Sequence, residues 1–106
     1  MRKPVGRQGS WYATWKGEEL PCIHDHPSLL QGMHYRAPVW DNPSRHQSYF
    51  ADICRLEKVI LTKSRLLENG HYSREGYIGV FRVANAQLTE AGDIELDLVE
   101  RLESFR

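Results

Sequence analysis

The sequence has none of the long apolar stretches that anchor a chain in a membrane or direct it to secretion. No run approaches the ~20 apolar residues that a membrane-spanning helix needs. The first residues are basic and polar, unlike those of a signal peptide. Cysteine is also scarce, because Cys22 and Cys54 alone are too few for a disulfide framework. We therefore expect free thiols, a cytoplasmic location and no membrane partner.

Net charge is absent as well, since 14 basic and 14 acidic side chains cancel. This balance argues against a protein that binds polyanions through bulk charge. Residues 1–82 carry an excess of basic side chains and residues 83–106 an excess of acidic ones, which leaves room for a local basic patch early in the chain. The sequence also lacks the glycine-rich loops that hold dinucleotides or nucleoside triphosphates.

What is present fits one small domain. The chain has 106 residues, of which 41% are hydrophobic, enough for a single core. Residues 1–9 are basic and contain glycine, and we predict that they form a flexible N-terminal arm. The single globular domain is then expected to cover residues 10–106.

The start of the domain predicts a β-hairpin over residues 11–26. Strand-forming residues precede a glycine that suits a tight turn, and the pairing then sets Ala13 opposite Leu20. Pro21 has no backbone N–H group, so it is expected at a sheet edge or at a bulge.

Further along, proline and glycine break residues 27–43, which predicts a long and functional loop. Ser44 with Gln47 fits a capping box, and helical spacing of apolar residues predicts a helix over 45–56. Strands are predicted at 59–62, 77–88 and 94–102, the last from its alternation of apolar and acidic residues. The fold class is therefore α+β, and mostly β.

A zinc site is one alternative that the sequence raises. Cys22, His24 and His26 recur at every second position of the predicted hairpin, so they share one strand face. Thiolate and imidazole groups are ordinary zinc ligands, but this spacing is not an established zinc motif. We expect no bound metal and no cofactor, and keep a small metal-dependent enzyme using this Cys/His face as an alternative.

Aromatic and cationic residues of the first hairpin and the 27–43 loop are the strongest functional signal. Rings that stack on bases, beside cations that hold phosphates, are the ingredients of single-strand or flipped-base recognition. Trp40 is the best candidate for an exposed functional ring, whereas each hairpin tryptophan, taken alone, fits better as a core residue of a small barrel. The predicted ligand-binding residues are Trp11, Trp15, Tyr35, Arg36, Trp40 and Lys63.

Residues 58–102 resemble the late strands of PUA-like domains, the group that includes the ASCH and EVE families. The likeness rests on the strand at 58–63 and on the two glycines of the segment Gly76-Tyr77-Ile78-Gly79-Val80-Phe81-Arg82-Val83. It implies a small, partly open β-barrel with one or two short helices. It also implies a module that binds RNA or a modified base in a cleft, usually without catalysis.

Three functions follow as hypotheses. The first is a non-catalytic binding module for RNA or a modified nucleotide or base, with single-stranded or modified nucleic acid as the partner. The second is a protein-interaction or inhibitor accessory protein, whose partner is another protein. The third is the small metal-dependent enzyme described above.

Overall fold

One seven-stranded sheet and one helix make up the described part of the chain. The computed structural model describes residues 11–26, 28–66, 68 and 72–104, so the arm predicted at 1–9 lies outside the described residues. The elements are, in chain order, β1 (Tyr12–Trp15), β2 (Glu18–Asp25), β3 (Leu30–Gln31), β4 (His34–Ala37), α1 (Pro43–Leu56), β5 (Lys58–Leu66), β6 (Tyr72–Leu88) and β7 (Ile94–Ser104).

The strands lie in the order β1-β2-β5-β6-β7-β4-β3. The β2–β5 pair is parallel, and the other pairs are antiparallel. The crossover from β2 to β5 contains the β3–β4 hairpin and α1. The prediction of a mostly-β α+β fold is confirmed. Among the described residues, no helix has both the length and the apolar character needed to cross a membrane.

The first hairpin has the predicted register. Ala13 pairs with Leu20. Pro21 is not at an edge, because β2 lies between β1 and β5. The amide of Cys22 donates to the Trp11 carbonyl at 2.8 Å, so the nitrogen of Pro21 points away from β1. Pairing with β5 begins only at Cys22, and the missing N–H group of Pro21 therefore costs no ladder hydrogen bond.

Alternating side chains bury apolar surface on both faces of the sheet. The buried residues form two hydrophobic clusters, a larger one and a smaller one. Alternate residues of β5 belong to different clusters, with Val59 and Leu61 in the larger cluster and Ile60 in the smaller cluster. Helix α1 packs against the larger cluster through Tyr49 and Ile53. Buried members of the smaller cluster are Ala13, Trp15, Leu20, Cys22, Ile60 and Val80.

Helix α1 begins two residues before the predicted start. The Asn42 side chain accepts a hydrogen bond from the Arg45 amide at 3.2 Å, so the cap is Asn42 and not Ser44. The helix ends at Leu56, and the C-cap residue Glu57 has a left-handed φ of 55°. The amide of Glu57 donates to the Ile53 carbonyl at 2.9 Å and closes the last turn.

The prediction of a continuous loop over 27–43 is wrong, because this segment contains β3 and β4. Strand β4 pairs with β7, and the pairs include Tyr35 with Leu96 and Arg36 with Glu95. Gly32, with a φ of 64°, allows the tight turn between β3 and β4. Pro38 directly follows β4 and so does not interrupt the strand.

Candidate functional site

A cavity of about 410 Å³ opens between the start of β1 and the first two turns of α1. This volume lies in the range of small-molecule sites, roughly 300–1,000 Å³. The cavity is lined by Trp11, Tyr12, Trp40, Ser44, Arg45 and Ser48.

Trp11 and Trp40 form an aromatic wall of the cavity, and Tyr49 packs against both rings. The ring centroids of Trp11 and Trp40 are 4.7 Å apart, and the two planes are tilted by 38°. Tyr49 is buried beneath them, 4.7 Å from Trp40 and 5.7 Å from Trp11. Trp11 and Trp40 are only partly buried. Tyr49 therefore supports two rings that still present surface to the cavity.

His46 fixes the backbone at Trp40. The imidazole is buried, and its Nδ1 accepts the Trp40 amide proton at 3.3 Å. Its Nε2 lies 2.7 Å from the Gly92 carbonyl oxygen. Because a carbonyl only accepts, Nε2 carries the proton and Nδ1 does not. This pair of bonds holds Trp40 between α1 and the β6–β7 turn.

Tyr12 closes the side of the cavity next to Asp52. Its phenol donates to an Asp52 carboxylate oxygen at 2.7 Å, and Arg55 donates to the other oxygen at 3.0 Å. Burial, with a contribution from Asp52, raises the pKa of Tyr12 well above its usual value. The hydrogen bond from Tyr12, with that from Arg55, lowers the pKa of Asp52. The phenol stays protonated and in place.

Helix α1 contributes polar side chains to the cavity, two of them small. Ser44 and Ser48 are one turn apart and share a face of α1, and Arg45 lies beside them. Short hydroxyl side chains leave the space that larger residues would fill. No acidic side chain is among the described residues that line the cavity. The site thus combines aromatic surface, two hydroxyls and one cation.

The structure brings together two of the six predicted ligand-binding residues, Trp11 and Trp40. Trp15 is instead buried in the smaller cluster, with the Lys16 ammonium 4.6 Å from its ring centroid. Tyr35, predicted in an open loop, is fully buried in the larger cluster. Its burial follows from the pairing of β4 with β7, which turns this ring into the core.

Arg36 and Lys63, the two cations among the predicted ligand-binding residues, do not line the cavity. Arg36 forms ion pairs with Asp93 at 3.2 Å and Glu95 at 3.5 Å. Lys63 lies opposite Asp25 in the β2–β5 ladder. Arg36 lies on β4 and Lys63 on β5, whereas Trp11 precedes β1 and Trp40 lies between β4 and α1.

Sequence reasoning missed Tyr12, Ser44, Arg45 and Ser48. A signal for the two serines was present, because Trp40, Ser44 and Ser48 recur at intervals of four. That spacing aligns residues along one face once the helix is known to begin near residue 42. Nothing in the sequence marks Tyr12 or Arg45 as cavity residues.

The three residues of the alternative zinc site differ in burial and in their place relative to β2. Cys22 and His24 are buried on β2, and His26 lies just beyond its end. Thr62 donates its hydroxyl proton to the Ile23 carbonyl, so His24 Nδ1 donates to Thr62 Oγ1 at 2.6 Å. Within the described ranges, no three His, Cys, Asp or Glu side chains are grouped to hold a metal. The zinc alternative stays a prediction, which metal analysis of the purified protein would test.

Comparison of the chain with family models, with curated proteins and with solved structures finds no match.

Proposed function

We propose that the protein is a non-catalytic module that binds RNA or a modified nucleotide, with an unpaired base in the cavity beside Trp11 and Trp40. The observation that supports this most is the pair of partly exposed tryptophan rings lining a cavity of about 410 Å³. Stacking on aromatic rings is the usual way in which proteins hold unpaired bases.

The other lining residues favour a base over two other classes of ligand. An ammonium ligand, which aromatic cages often bind, would be repelled by the Arg45 guanidinium. A purely aliphatic ligand would make no hydrogen bond to the hydroxyls of Ser44 and Ser48. A flat heterocycle satisfies the rings through its faces and the hydroxyls through its edge.

We propose further that the fold is a partly open barrel of the PUA-like kind. A single seven-stranded sheet with α1 in the β2–β5 crossover supports this assignment. A cytoplasmic location is part of the same proposal, and the two free cysteines, Cys22 and Cys54, support it.

The test is a fluorescence titration of the full chain at low salt with random single-stranded RNA, single-stranded DNA and duplexes. Trp40→Ala should weaken binding about five- to a hundredfold, because a stacked ring contributes roughly 1–3 kcal/mol. Trp40→Phe should retain much of the affinity, since it keeps an aromatic ring. Trp15→Phe is the matched control, because Trp15 lies in the smaller cluster away from the cavity.

Two results would contradict the proposal. One is a wild-type protein that binds none of these nucleic acids, which would favour the protein-interaction alternative. The other is equal loss of affinity in Trp40→Ala and Trp15→Phe. Thermal melting of each variant separates lost binding from lost folding.

A further inference from the structure

Arg45 differs from the four other arginines whose side chains the structure describes, because it has no side-chain partner among the described residues. Three of the others form ion pairs with a carboxylate, and the fourth lies over an aromatic ring. These contacts are Arg36 with Asp93, Arg55 with Asp52, Arg82 with Glu100, and Arg101 with Phe81. Within this group of five arginines, the guanidinium of Arg45 is the one that remains available for an external anion.

This available cation lies at a cavity and not on an open surface. Arg45 lines the same space as the Trp11 and Trp40 rings, and Ser44 precedes it on the same wall. A guanidinium offers a planar set of N–H donors that matches the oxygens of a phosphate, and serine hydroxyls add further donors.

We propose that the cavity binds a nucleotide together with its phosphate, which Arg45 holds with the Ser44 hydroxyl while the base stacks on Trp11 and Trp40. This inference rests on the proposed function and specifies its ligand. The shared chemistry is a base joined through a sugar to one phosphate. It can come from a free nucleoside monophosphate or from one position of a single strand.

The absence of a competing carboxylate in the lining supports the phosphate assignment. Asp52, near the cavity, already accepts hydrogen bonds from Tyr12 and Arg55. Its charge is therefore directed to these two partners. Removing the Arg45 charge should cost the affinity for phosphate without disturbing a fold contact.

The experiment compares wild type, Arg45→Gln and Arg45→Lys by calorimetric titration. The probes are the four ribonucleosides, their 5′-monophosphates and a random single-stranded RNA. Arg45→Gln should lower the affinity for the phosphate-bearing probes about tenfold or more, the usual effect of a lost hydrogen bond to a charged group. It should leave nucleoside affinity unchanged. The affinity of Arg45→Lys for the phosphate-bearing probes should lie between those of wild type and Arg45→Gln. Lysine keeps the positive charge but lacks the planar set of N–H donors of the guanidinium.

Arg82→Gln is the matched control, since it removes an equal charge at an exposed site on β6. It should bind every probe as wild type does. For RNA, Arg45→Gln should also reduce the slope of log affinity against log salt by about one unit, and Arg82→Gln should not.

The outcomes distinguish failure of this phosphate proposal from failure of the proposed function on which it rests. If Trp40→Ala loses binding while Arg45→Gln matches wild type on every probe, the phosphate assignment is wrong and the aromatic site survives. If no probe binds wild type, both proposals are wrong. A loss in Arg45→Gln seen with monophosphates identifies a free nucleotide as the ligand, and a loss seen only with RNA identifies a strand.

Discussion

Two aromatic–arginine pairs lie close together in this sequence and end in opposite situations. In β4, Tyr35 is fully buried and Arg36 is neutralised by Asp93 and Glu95. Just downstream, the Trp40 ring is partly exposed at a cavity, and Arg45 is exposed with no ion pair among the described residues.

The difference comes from the partner element and not from the residues themselves. Strand β4 pairs with β7, whose alternating pattern supplies apolar side chains to one face and carboxylates to the other. The first turn of α1 contains no acidic residue and faces β1 across open space. A ring and a cation form a candidate site only where no neighbouring strand buries the ring and pairs with the cation.

The largest expected effect tests the structural half of the comparison. Tyr35→Ala should lower the free energy of unfolding by about 3–5 kcal/mol, the range for truncating a large buried aromatic residue. Met33→Ala, two residues away and 51% exposed, should change it by less than about 0.5 kcal/mol. Urea denaturation measures both. Near-equal values would mean that Tyr35 is not a core residue.

A smaller effect is expected at His46, which acts on the cavity through Trp40. His46→Ala leaves the Trp40 amide and the Gly92 carbonyl without their partner, which should cost about 1–3 kcal/mol of stability. It should also weaken RNA binding and reduce the near-ultraviolet circular dichroism of the tryptophans. His26→Ala is the control. Unchanged RNA affinity in a folded His46→Ala protein would remove His46 as a positioning residue.

The ion pair between His34 and Asp97 should contribute still less to the stability of the fold, and its contribution should depend on pH. Hydrogen bonding to Asp97 raises the pKa of His34 above its ordinary 6.5, and the same bond lowers the pKa of Asp97 below its ordinary 3.8.

The His34 contribution is complete below pH 6.5 and is lost as the pH rises through the raised value. The Asp97 contribution is present above pH 3.8 and is lost as the pH falls through the lowered value. The pair therefore stabilises most between these limits. An NMR titration should show the His34 pKa returning toward 6.5 in Asp97→Asn, and an unmoved value would contradict the assignment.

The smallest expected effect sharpens the functional half of the comparison. Arg36→Gln should leave both RNA affinity and its salt dependence as in wild type, because Arg36 is already paired on β4. Arg45→Gln should reduce the salt slope by about one unit. A salt-dependent binding titration of the two variants shows which arginine contacts the phosphate. A larger change of the salt slope in Arg36→Gln than in Arg45→Gln would assign the contact to Arg36 instead.

Local patterns were enough to predict the parts of the fold that depend on near neighbours. The register of Ala13 with Leu20 follows from a short hairpin and the two-residue period of a strand. Ile53 lies on the buried side of α1, as its helical spacing indicates. The cap was misassigned to Ser44, although Pro43 at the first helical turn indicated Asn42.

The rest depends on contacts between distant segments, which a single sequence does not display. The sequence predicts a loop at Tyr35, because the strand partner of this residue, Leu96, comes from the other end of the chain. Trp11 and Trp40 were correctly grouped, but Arg45 was overlooked since its lack of an acidic partner is a property of the folded chain. Charge availability therefore has to be read from tertiary structure.

The single parallel pair in the sheet also sets the order in which the molecule can assemble. Strands β5, β6 and β7 join through successive antiparallel pairings, whereas β2 reaches β5 only after residues 26–57 have closed a loop. Long loop closure makes such a pairing slow relative to local hairpins. Trp11 enters with β1 and β2, while Trp40 and Arg45 come with α1. The cavity is therefore expected to be among the last features to form during refolding, and its tryptophan signal should develop in the slowest phase.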